Sequence, residues 1–174
     1  MLGNGRLIPV DGTLRKSGIL LMLLILAGCA STARQPTSVP VFRSAAPPVV
    51  VSALKLQGVP YRSGGDTPAE GFDCSGFVHY VYSRHGFNLP RRSEDMATRL
   101  PAVNLRERRP GDLLFFNTAS RPHTHVGIYL GGDSFIHSPS NQTGAVMVSS
   151  LYQSYWSQRL DGVRRPGKYD GGKP

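Results

Sequence analysis

At Pro110-Gly111 the hydrophobic pattern of this chain changes period, and no other feature constrains its fold as much. Before that point the apolar runs have helical spacing. Residues 49–57 are apolar-rich and stop at Gly58, with Pro60 just beyond, which predicts a first helix despite its opening valines. Asp73 is a suitable N-cap for a second helix running to about His85, with Gly86 as its stop. On that helix Phe77 and Val81, and Val78 and Tyr82, recur at i, i+4 and make an apolar face. Ser93 predicts the cap of a short third helix through Leu100, and residues 61–68 read as a loop. After Pro110-Gly111, residues 112–117, 125–130, 134–138 and 146–149 are short apolar or alternating runs separated by Gly, Pro and Asn, and read as strands. Residues 151–156 predict a short helix and 160–165 a last strand. Helices first and antiparallel strands afterwards predict an α+β domain with helices packed on one face of a mainly antiparallel sheet.

Residues 1–28 read as a leader. Arg6, Arg15 and Lys16 precede the apolar run Ile19-Leu20-Leu21-Met22-Leu23-Leu24-Ile25-Leu26, which is about half the length of a membrane span and suits the core of a signal peptide. The chain is therefore expected to be exported. Leu26-Ala27-Gly28-Cys29 resembles the bacterial lipobox, in which cleavage before the cysteine leaves a lipid-modified N-terminus. Ala30 in place of an acidic residue implies, on that resemblance, the periplasmic face of the outer membrane. Residues 29–48 carry Pro36, Pro40, Pro47 and Pro48 among Ser, Thr and Ala, and read as a tether reaching roughly 25 Å as a coil. Residues 49–165 suit one domain, and 166–174 a flexible tail.

The formal charge is +9, and about +7 without the leader. Such a surface suits an anionic partner, but export argues against nucleic acid. The clusters Arg91-Arg92, residues 106–109 and Arg164-Arg165 read as solvated faces, with contact to an acidic substrate or to headgroups as the alternative.

Only two cysteines are present, Cys29 and Cys74. With Cys29 consumed by processing, Cys74 has no partner for an internal disulfide, which leaves it as a buried filler or a nucleophile. At the first turn of a helix, unpaired N–H groups and the helix dipole favour a thiolate and can receive an oxyanion, although the Asp73 charge opposes ionisation unless its carboxylate is occupied in capping. A base is also needed. His79 and His85 lie further along the same helix and read as surface residues, and His123 as a solvated loop residue. If Gly131-Gly132-Asp133 is a three-residue hairpin loop, Gly127 opposes His137, and His125 then shares a face with His137 at about 7 to 8 Å between backbone positions. A two-residue loop would place the two histidines on opposite faces. Nucleophile, base and orienter make the logic of a cysteine-histidine hydrolase, with Cys74, His125 and His137 in those roles. A zinc site built from the same three residues, or from His123 and His125, lacks short thiolate ligand spacing.

Asp73-Cys74-Ser75-Gly76-Phe77-Val78, His125-Val126-Gly127-Ile128-Tyr129-Leu130-Gly131 and Phe135-Ile136-His137 resemble, in order, the catalytic segments of the NlpC/P60 cell-wall peptidases. Arg109-Pro110-Gly111-Asp112-Leu113-Leu114-Phe115-Phe116 and Pro60-Tyr61-Arg62-Ser63-Gly64-Gly65 resemble two further segments of that family. The resemblance implies a papain-like fold and hydrolysis of peptidoglycan stem peptides without metal or other cofactor. It implies Cys74 as nucleophile, His125 as base, His137 as the third polar residue, Tyr61 as a hydroxyl near the oxyanion, and Asp73 and Ser75 as binders of the substrate's amine. The scissile bond is left open between D-Ala to diaminopimelate and D-Glu to diaminopimelate. Arg91-Arg92-Ser93 followed by Met96, and Arg62-Ser63 after Tyr61, depart from the family's common pattern in segments expected to line the groove. A catalytically silent peptidoglycan-binding lipoprotein on the same fold is the alternative, against which the intact Cys74, His125 and His137 argue.

Overall fold

Apolar side chains from both halves of the chain meet across one five-stranded sheet. The structure, a computed structural model, describes residues 46–140, 142 and 144–167. The leader, Cys29 and most of the tether and tail lie outside the described residues. The elements follow in the order α1 (Pro48–Leu54), β1 (Asp66–Thr67), β2 (Gly71–Phe72), α2 (Cys74–Ser83), α3 (Ser93–Arg99), a 3-10 turn (Leu105–Glu107), β3 (Leu113–Phe116), β4 (His125–Gly131), β5 (Ser134–His137), β6 (Met147–Ser150), α4 (Ser154–Ser157) and β7 (Leu160–Arg164). Strands β3 to β7 form an antiparallel sheet in the order β6-β5-β4-β3-β7.

The helix α1 begins with Pro48 at its first turn, where a missing N–H costs nothing, and ends at Leu54, three residues before the expected end. Packing of one face holds it helical, with Val50 and Ala53 fully buried. In α2 the Asp73 side chain caps the helix by accepting from the Gly76 N–H, and Phe77, Val78, Val81 and Tyr82 form the buried face that the i, i+4 pattern predicts. Ser93 does not cap α3. Arg92 occupies the N-cap position without a side-chain bond, and Ser93 is the first helical residue. The short ribbon β1–β2 falls partly within the segment read as loop; two-residue strands carry too little periodicity to be read.

Both faces of the sheet are covered. On one, α1 and α2 pack over Leu113, Phe115, Val126, Ile128 and Ile136. On the other, Trp156 of α4 closes Leu114, Phe116, Tyr129, Phe135 and Val163. This is why β3 is buried at all four positions and reads as a continuous apolar run.

The β4–β5 hairpin differs from its expected form. The turn has two residues, Gly132 and Asp133, with φ of 55° and 63°, as a type I′ turn requires. Taken alone this would reverse the facing of His137. Leu130, however, is an extra residue between the pairs Tyr129–Phe135 and Gly131–Ser134, and this bulge restores the register.

Candidate active site

Cys74 is the first residue of α2, and its half-buried thiol lies against the start of β4, where the backbone N–H groups of Val126 and Ser75 hydrogen-bond it. Burial, reinforced by the Asp73 charge, nevertheless pushes the thiol up to about 11, outweighing those N–H groups. The helix terminus alone therefore does not lower this thiol below its ordinary value. The Asp73 carboxylate is occupied as the sequence required, but desolvation of the sulfur dominates.

His125 opens β4 opposite Phe116 of β3. Its Nε2 lies 2.8 Å from Nδ1 of His137, and Nε2 of His137 lies 2.9 Å from Oγ of Ser149 on β6. All three residues are buried. Trp156 stacks on the His125 ring at 5.3 Å and sets its edge against His137 at 4.7 Å. Burial under this cover drives His125 down to about 4, and burial together with the neighbouring ring lowers His137 further still. Gly127 is closely packed between the two strands. A Cβ there would stand 2.8 Å from Phe135 Cδ2 and 3.1 Å from His137 Cβ, so glycine lets β5 close onto β4.

Around the start of α2, Arg91 organises what the sequence left as separate residues. Its Nη1 donates to Asp73 Oδ1 and Ser75 Oγ, both at 2.9 Å, and its Nη2 to Asp73 Oδ2 at 2.8 Å and to the Gly64 and Gly65 carbonyls at 3.0 and 3.2 Å. Burial would raise the Asp73 carboxyl, but the Arg91 hydrogen bond, the Gly76 N–H and Ser75 hold it below its ordinary value. Gly76 admits this loop, because a Cβ would lie 2.1 Å from the Gly65 carbonyl oxygen. Tyr61 lines the same cleft as Cys74, Asp73, Ser75 and Arg91, and burial and the nearby Cys74 and Asp73 charges raise its phenol.

A model described as the NlpC/P60 family matches residues 58–165. The chain belongs to the NlpC/P60 family. It is 42% identical over 120 residues to the gamma-DL-glutamyl hydrolase of Bacillus subtilis, covering 68% of this chain and 29% of that protein. It is 40% identical over 123 residues to the murein DD-endopeptidase MepH of Escherichia coli, covering 67% of this chain and 45% of the relative. The chain thus spans less than half the length of both. The probable endopeptidase NlpC of Escherichia coli is matched over 96% of its length and 84% of this chain, at 38% identity. Among solved structures, a lipoprotein-like NLP/P60 protein of Staphylococcus aureus superposes with a TM-score of 0.63 at 34% identity, over 78% of this chain and 45% of that one.

Within this NlpC/P60 domain the structure brings His125 and His137 together, and separately gathers Cys74, Tyr61, Asp73 and Ser75. The remaining histidines are not simply solvated. His79 Nδ1 lies 2.9 Å from the Leu89 carbonyl, His85 Nε2 2.9 Å from Ser52 Oγ, and His123 Nδ1 2.8 Å from Asp161 Oδ1. Three residues escaped sequence reasoning. Arg91 was read as a solvated face, although a half-buried Asp73 demands a counter-cation. Ser149 was within reach of strand arithmetic carried one strand further, to β6. Trp156, the sole tryptophan, carries no local pattern that points to the site. Among the described residues, no group of three or more His, Cys, Asp or Glu side chains converges to hold a metal ion.

Proposed function

We propose that this chain is a cysteine endopeptidase that hydrolyses a peptide bond in peptidoglycan stem peptides or crosslinks, with Cys74 as nucleophile. The observation that carries the reading is the His125–His137 contact at 2.8 Å on the strand whose next N–H touches the Cys74 sulfur. With Nε2 of His125 engaged by His137, Nδ1 is the ring nitrogen left to serve the thiol. For Nδ1 to accept, Nε2 must carry the proton and donate to His137 Nδ1, and His137 must in turn donate from Nε2 to Ser149.

Both partners rest uncharged, since burial disfavours thiolate and imidazolium alike. The thiol proton passes to His125 Nδ1 as sulfur attacks the carbonyl carbon. The carbonyl electrons move onto oxygen, where the Cys74 N–H and the Tyr61 hydroxyl can donate. Collapse expels the amine, which takes the proton from His125. Water, deprotonated by the same imidazole, then releases the acyl group from sulfur. Asp73 and Ser75, aligned by Arg91, supply acceptors for an ammonium on the acyl half, consistent with cleavage near a free stem-peptide N-terminus; the bond is D-Ala to diaminopimelate or D-Glu to diaminopimelate. Mass analysis of peptidoglycan digested by the full chain should show new muropeptides, absent with Cys74→Ala, and the fragment masses identify the bond. Unchanged muropeptides, or undiminished cleavage by the variant, would sink the reading.

The leader supports a second part of the proposal: lipid attachment at Cys29 and residence at the periplasmic face of the outer membrane. Labelled palmitate should enter the wild-type chain and not Cys29→Ala, and incorporation into both would contradict it.

A further inference from the structure

On the cysteine peptidase reading above, the halves of the substrate divide at His125. The imidazole returns the thiol's proton to the leaving amine, so the amine half lies on the His125 side and the acyl half in the cleft of Cys74, Asp73 and Arg91. Both candidate bonds release diaminopimelate as the amine half. This residue carries a carboxyl group at each end of a short methylene chain, one on the carbon of the released amine and one at the far end.

Two clefts on the His125 side share Thr118. The first, about 550 Å³, has His125, His137, Gln153, Tyr155 and Trp156 among its walls, and its described lining holds no Lys or Arg. Asn117, Ser120, Gln158 and Arg159 line the second, of about 350 Å³, with no Asp or Glu among them. An aromatic series leads from one to the other. Trp156 stacks on His125 at 5.3 Å, Tyr155 meets Trp156 edge-on at 4.8 Å, and the Arg159 guanidinium lies 4.0 Å over the Tyr155 ring. The arginine is held in that place. Its carbonyl accepts from the Asn117 N–H at 2.8 Å, its own N–H donates to the Trp156 carbonyl at 3.1 Å, and its Nη1 donates to the Tyr155 carbonyl at 3.0 Å. Among the described residues no carboxylate pairs with it. Asp161, the nearest acidic residue in sequence, is engaged by the His123 N–H at 2.9 Å and by its Nδ1 at 2.8 Å.

We propose that Arg159 is a specificity-determining residue that binds the far carboxylate of the leaving diaminopimelate. Two rings stand between His125 and the guanidinium, which places it beyond the carboxyl group on the reacting carbon and suits the one a chain's length away. Stacking on Tyr155 fixes the guanidinium plane, and Nε and Nη2 are left to form a fork on a carboxylate. The far carboxylate is free in unmodified stems if the bond cut is D-Glu to diaminopimelate. If the bond is D-Ala to diaminopimelate, it is free only in stems that end at diaminopimelate, and Arg159 then favours such trimmed stems.

The test uses the full chain in detergent and two synthetic substrates that share the bond identified by digestion. They differ only at the far carboxyl group of the leaving diaminopimelate, which is the free acid in one and the primary amide in the other. Wild type should cleave the acid with kcat/KM at least about fivefold above the amide. Arg159→Gln should erase that ratio by lowering the rate on the acid, and Arg159→Lys should keep part of it. Arg106→Gln, which removes an equal charge from the 3-10 turn, should leave the ratio intact. Equal cleavage of acid and amide by wild type, a ratio that survives in Arg159→Gln, or one that Arg106→Gln also erases overturns the Arg159 assignment and leaves the peptidase reading standing. Failure to cleave either substrate overturns the peptidase reading and this inference with it.

Discussion

The guanidinium of Arg91 bonds two oxygens of Asp73, the Ser75 hydroxyl and two loop carbonyls, so its loss would leave a half-buried carboxylate short of its cation. Arg91→Ala is expected to cost about 2 kcal/mol in urea unfolding, with Arg91→Lys recovering part through charge alone. Because the folded-state pKa of Asp73 is depressed, this contribution is present above the ordinary value near 3.8 and is lost as pH falls through the lower folded value. The difference between wild type and Arg91→Ala should therefore shrink below about pH 4. At the other end of the site, Ser149 Oγ lies 2.9 Å from His137 Nε2, and the proposed proton path requires it to accept there and so keep the His137 proton on Nε2. In Ser149→Ala that proton can move to Nδ1, where it opposes the His125 Nε2–H and drives His125 to the tautomer that cannot accept from the thiol. A fall in kcat of about ten- to a hundredfold with little change in KM is expected, restored largely by Ser149→Thr. Nitrogen-15 shifts of the His137 ring that stay the same in Ser149→Ala would contradict this.

The β4–β5 hairpin sets the distance between the two imidazoles. Its I′ turn matches strand twist, and the Leu130 bulge supplies the residue that brings His137 to the His125 face. Gly127 sits between these devices and the site, with Phe135 and His137 pressed over its Cα. Gly127→Ala should cost about 1–3 kcal/mol by overpacking, read as a lowered Tm, and should cut kcat further by parting His125 from His137. A stable variant with full kcat would show that the hairpin does not govern the pair. The α2 start is built by a comparable contact, the Gly65 carbonyl against Gly76, between segments eleven residues apart in sequence.

Covering both faces of the sheet has a consequence for the whole molecule, since it buries two histidines in the cluster beneath Trp156. Their folded-state pKa values are pushed below 6.5 by that burial. Below pH 6.5 the unfolded chain takes up protons that the folded chain refuses, so stability should decline from there down to about 4, where His125 itself protonates. Urea midpoints measured from pH 8 to pH 4 test this, and a flat profile between 6.5 and 4 would count against buried neutral imidazoles. The same burial should carry the acid limb of kcat/KM below the ordinary histidine value.

Local spacing determined most of the elements and their type. The α2 face, the Asp73 cap and strands β3 to β6 follow from patterns that need only neighbouring residues. What only the tertiary structure decided is whatever depends on segments far apart in sequence. The Arg91 fork across Asp73 and the glycine loop, Ser149 behind His137, and Trp156 closing the second face all join such segments. The thiol's charge state belongs to the same group. Sequence placed Cys74 where a helix dipole favours ionisation, but burial is a sum over every surrounding chain, and at this sulfur that sum exceeds the local term.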